Sequence, residues 1–75
     1  MGIKLYRVIG THIYQQRRMR GMSQENLAKA LGMSRAAIAN MEIGRQAIMI
    51  PALFKICDVF NIKPSCFLDF IKETK

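Results

Sequence analysis

Acidic residues are scarce: five Asp and Glu stand against twelve Lys and Arg, leaving a formal charge of +7. No paired carboxylates, activated nucleophile or phosphate-cradling glycine loop can be assembled, so an enzyme is not expected. Cysteine is limited to Cys57 and Cys66, whose spacing suits neither a disulfide framework nor a zinc site, and the lone His12 is distant in sequence. Idle thiols and no metal or other cofactor follow. Long apolar runs are missing as well, since none approaches the roughly 20 residues of a membrane helix. The opening Met1 to Arg7 has no stretch of signal-peptide length, and Tyr6 stands where acylation of Gly2 requires Ser or Thr. A cytoplasmic protein without membrane attachment is expected.

A hydrophobic content of 51% in 75 residues fits one small folded domain spanning 1–75. Such a core supplies only about 3–5 kcal/mol unaided, which favours self-association. Basic charge is concentrated toward the start. Residues 1–50 hold eight Lys and Arg against Glu25 and Glu42, whereas 51–75 hold four Lys against three acids. A polyanion-binding front and a nearly neutral back are implied.

Helical periodicity runs throughout, and both prolines, Pro51 and Pro64, fall in the last third. Residues near 5–20 place Val8 or Ile9, Ile13 and Arg17 on one face, with His12 elsewhere and exposed. Gly21 ends that helix and Ser23 caps a second, Gln24 to Leu31, whose apolar face is Leu27, Ala28 and Leu31. Gly32 makes the next turn, and Ser34 caps a third helix from Arg35 to about Ile43 with Ile38 and Met41 inward. Neither serine is followed three residues later by Glu or Gln, so simple caps are expected. Pro51 suits the first turn of a fourth helix lined by Leu53, Ile56, Cys57 and Phe60. Asn61 suits its left-handed end, and Pro64-Ser65 opens a fifth carrying Phe67, Leu68 and Ile71. The fold expected is all-α, with five helices and no sheet.

In the second and third helices, Ala28 is small where they approach closest and Gly32 permits a tight turn. Leu27, Leu31, Met33, Ile38 and Met41 bury the inner surfaces. This is a helix-turn-helix. Together with Ile9-Gly10, Ile13, Arg17, Met22-Ser23-Gln24, Met41 to Arg45 and Leu53…Ile56, the pattern resembles the helix-turn-helix family of lambdoid phage repressors and Cro proteins. Restriction–modification controllers and many antitoxins share that family.

The resemblance implies a compact lambda-repressor-like domain that inserts its third helix into the major groove of double-stranded DNA. Base contacts would fall to Arg35, Ala36 and Asn40, with Ala39 adding apolar contact. Arg can donate twice to guanine, and Asn can pair with adenine. Gln24 and Arg45 would meet phosphates, and Ser34 would meet one or simply cap its helix. The family pattern also implies an internal salt bridge between Arg17 and Glu42. Lys29, Arg18 and Arg20 would add diffuse attraction only.

The segment Phe67 to Ile71 has more apolar surface than a short helix can bury, with Phe70 facing outward. Phe67, Phe70 and Ile71 are the candidate interface of a homodimer; alternatively Phe67, Leu68 and Ile71 close the monomer core. The resulting expectation is a dimeric transcriptional repressor reading an inverted-repeat operator. The alternative is an antitoxin or controller acting chiefly through a protein partner, such as a toxin or polymerase subunit.

Overall fold

The computed structural model describes residues 2–74, with side chains over 4–73. Over these residues the chain forms α1 (Gly2–Met19), α2 (Gln24–Leu31), α3 (Arg35–Glu42), α4 (Ile50–Phe60) and α5 (Ser65–Thr74), with no strand. Its axes measure 31 × 23 × 21 Å. The long α1 packs against α3 and α5, while α2 bridges α3 and α4.

Local chemistry sets the boundaries. Ser23 Oγ accepts from the Asn26 amide and Ser34 Oγ accepts from that of Ala37, each supplying an acceptor that a free helix end lacks. The first cap is fuller than expected: Asn26 Oδ1 accepts in return from the Ser23 backbone N–H at 3.2 Å. A side chain one methylene shorter than Gln thus completes a capping box. Between α2 and α3, Gly32 adopts φ +67°, and the Met33 amide donates to Ala28 O at 2.9 Å. That left-handed turn lets α3 cross α2 after only three residues. Asn61 ends α4 in the same conformation.

The core comprises Ile9 and Ile13 of α1, Leu27, Ala28 and Leu31 of α2, Ile38 and Met41 of α3, and Ile56, Cys57 and Phe60 of α4. Phe67 of α5 joins them, as does Ile48 from the α3–α4 connection. At the crossing of α1 and α3, Gly10 has no room for a side chain: a Cβ would lie 2.1 Å from Met41 O. The close approach holds α3 against α1 along backbone rather than side chains.

Three expectations are corrected here. Phe67 is 2% exposed, so it closes the monomer core and cannot also form a dimer surface. Phe70 does not face outward, because its half-buried ring lies 4.4 Å from the His12 imidazole. His12 is buried, its other side meeting Phe67 edge-on at 4.6 Å, and neither ring nitrogen has a hydrogen-bond partner among the described residues. Burial lowers its pKa from the usual 6.5. Leu68, by contrast, is 62% exposed and leaves the core to Phe67 and Ile71.

Candidate nucleic-acid interface

α3 has two unlike sides. Ile38, Met41 and Glu42 are buried, whereas Arg35 and Ala36 are exposed and Ala39 and Asn40 are half-buried. Three alanines help a helix of only eight residues to form, since Ala costs least side-chain entropy. They also leave its outer side smooth. One bulky cation at its first turn and one amide near its end are the polar groups available to meet a ligand there.

The helix is held by a buried ion pair. Arg17 Nε donates to Glu42 Oε2 at 2.7 Å, and Arg17 Nη2 donates to Glu42 Oε1 at 3.1 Å. Arg17 Nη1 donates to Met22 O at 2.7 Å, and Gln24 Nε2 adds a third bond to the carboxylate at 3.0 Å. Both side chains are nearly inaccessible. A single fork therefore joins the end of α1, the entry to α2 and the end of α3, with the charges compensated inside a low-dielectric site.

Gln24 occupies the first position of α2, and one of its two side-chain N–H groups donates to Glu42. With the Asn26 amide taken by Ser23 Oγ, the backbone N–H groups of Gln24 and Glu25 have no intrahelical acceptors and carry the positive end of the helix dipole. They open onto a concave surface of about 630 Å³ lined by Arg17, Arg18, Ser23, Gln24, Glu25 and Arg35, among others. Arg18 extends over the Tyr14 ring at 5.8 Å. Ser34 is engaged in capping.

At the other end of α3, the Arg45 and Gln46 amides both donate to Asn40 O. This ties the connection to α3 and leaves the Arg45 side chain exposed. Arg20 is not a diffuse surface charge. It donates to Gln16 and, at 2.7 Å, to Phe60 O, with its guanidinium 4.8 Å from the Phe60 ring. A cation at the carbonyl end of α4 is favoured by that helix's dipole, and the contact pins α1 to α4. Its sequence signal was faint, because a pairing across 40 residues leaves no local pattern.

No group of three or more His, Cys, Asp or Glu among the described residues could hold a metal ion. Cys57 and Cys66 are free, and burial first, then Cys66 and Asp58, push the Cys57 thiol above its ordinary pKa. No described helix is long and apolar enough to cross a membrane.

Two packed helices joined at a left-handed glycine, with the second turned outward beside a basic hollow, define a helix-turn-helix protein. The chain belongs to the Helix-turn-helix family, whose model matches residues 13–65, from the middle of α1 to the start of α5. No curated protein sequence matches it. Among solved structures, it is similar to the clp gene regulator ClgR from C. glutamicum, with a TM-score of 0.86 and 20% identity over 93% of this chain and 91% of that one. It is similar to the restriction-modification controller protein C.AhdI from Aeromonas hydrophila, with a TM-score of 0.78, 24% identity, and 83% and 94% covered. A mutant of the restriction-modification controller protein C.Esp1396I gives a TM-score of 0.82 and 28% identity over 93% and 95% of the two chains. The first two likenesses, at their low identity, establish the shared fold.

Proposed function

We propose that the chain is a sequence-specific duplex-DNA-binding transcriptional regulator, acting as a repressor by occupying an operator. The observation that carries this reading is the outer side of α3, which presents Arg35 and Ala36 clear of the core while the Arg17–Glu42 fork fixes its inner side. A helix so presented fits the major groove, where Arg35 donates twice to a guanine edge and Asn40 meets adenine. Ala36 and Ala39 lie against thymine methyl groups. The amides at the start of α2 and the guanidinium of Arg45 take backbone phosphates on either side, and Ser34 serves α3 as its cap.

The regulator acts as a homodimer, which places two reading helices about 34–36 Å apart on an inverted repeat. Its contact is the outer edge of α5, centred on the exposed Leu68 with only the accessible parts of Phe70 and Ile71 at its rim, and without Phe67.

Selection of bound fragments from random duplex DNA at fixed salt tests the reading. A symmetric consensus is expected. Arg35→Ala should cost roughly 1–3 kcal/mol at the selected site and relax one base position, while Arg45→Ala should weaken binding to all duplexes and flatten the salt dependence. An unchanged base preference in Arg35→Ala would remove that residue from base recognition.

A further inference from the structure

α1 begins well before the segment matched by the family model, and Arg7 lies in that leading part. Its backbone is pressed against the α3–α4 connection: Gly44 adopts φ +80°, and a Cβ there would lie 2.8 Å from Arg7 Cα. Arg7, Ile43, Gly44 and Arg45 line one hollow of about 520 Å³ at the C-terminal end of α3. Two exposed arginines, 38 residues apart in sequence, thus share a concavity with no carboxylate in its lining. Neither side chain makes a hydrogen bond or ion pair among the described residues.

We infer that Arg7 and Arg45 form a clamp for a phosphodiester of duplex DNA, so that α1 as well as the α3–α4 connection grips the backbone. The inference rests on the DNA-binding reading above and adds a residue and a site to it. Bringing two guanidinium groups into one hollow without an internal counter-ion is unfavourable for the free protein, and an entering phosphate reverses that. Arg is suited to the task because its planar fork can meet two phosphate oxygens at once. Arg7 is also in phase with Arg18, eleven residues on, which lines the hollow at the start of α2. On one straight helix these two are separated by about 16 Å. One side of α1 therefore carries one cation at the hollow beside Gly44 and another at the hollow beside the start of α2.

A competing role for Arg7 is to neutralise the carbonyl end of α3, which would act on stability and not on DNA. Fluorescence anisotropy of the full chain on a labelled 24-base-pair duplex of random sequence, titrated with salt, separates the two. Arg7→Ala is expected to reduce the magnitude of the slope of log affinity against log salt by about 0.9, the value for one phosphate contact. Arg7→Lys should keep most of that slope, and the melting temperature of Arg7→Ala should be no lower than that of the parent. An unaltered slope in Arg7→Ala alongside a reduced one in Arg45→Ala would overturn the clamp and leave the DNA-binding reading standing. A lowered melting temperature with an unaltered slope would assign Arg7 to α3's dipole and also overturn it. Failure of the parent chain to bind any duplex would remove both readings.

Discussion

At the scale of single residues, Arg17 and Glu42 bear the largest electrostatic stake in the molecule. Their charges are tolerated inside because three nitrogens of one side chain and two oxygens of the other are occupied, with Met22 O and Gln24 completing the set. Glu42→Gln would leave the guanidinium buried without its counter-charge, a loss of about 3–5 kcal/mol. That equals the whole yield of a core this small. Urea denaturation should accordingly find Glu42→Gln mostly unfolded at room temperature, and a loss below about 1 kcal/mol would show that water reaches the pair. Replacing both partners with apolar residues of similar volume should recover much of the loss, since the uncompensated charge disappears.

At the scale of elements, the docking of α5 on α1 centres on His12 between Phe67 and Phe70. The folded state lowers the imidazole pKa through burial, so the unfolded chain, titrating near 6.5, binds the proton more readily. Stability is then complete above about pH 6.5 and declines as the pH falls below it, levelling off beneath the folded pKa. Melting temperatures between pH 7 and 5.5 should decline in the parent and stay nearly level in His12→Leu. Equal declines in both would assign the effect to another group.

The same elements show what was legible beforehand. Gly21, Gly32, Asn61, Ser23, Ser34 and Pro51 act through backbone φ, a capping oxygen or a missing amide, all local properties, and the helix boundaries they implied agree with the fold. His12 was misread because α1 has two buried faces. Ile9, Ile13 and Arg17 announce the one toward α3, while the one toward α5 depends on a contact made 55 residues later, and a lone polar residue among apolar ones reads as solvent-facing. Arg20 escaped for the related reason that its partner, Phe60, lies on a distant element. Within the candidate interface, the outward placement of Arg35 and Ala36 could be anticipated from the inward spacing of Ile38 and Met41. That Gln24 spends its amide on Glu42 could not, because the alternatives differ only by a side-chain rotation.

At the scale of the whole molecule, charge and apolar surface are less separated than the sequence suggests, since the exposed Ile43 lies in the hollow shared by Arg7 and Arg45 and Met49, Ile50 and Phe54 are exposed about α4. Arg7, Arg18, Arg35 and Arg45 flank α3, and the exposed Leu68 lies on α5. Leu68 supports no core contact strongly enough to bury it, so Leu68→Ser should leave the melting temperature nearly unchanged at high dilution. In sedimentation it should shift the chain from dimer toward monomer. The same mass for variant and parent would exclude α5 as the contact.

The split character of α3 has a consequence for how such a protein can change. Positions 35 and 36 face away from the core and from the Arg17–Glu42 fork, so a new side chain at either place leaves both supports in contact. A change at either place therefore costs only the helix propensity of α3's first turn, and the packing beneath it is kept.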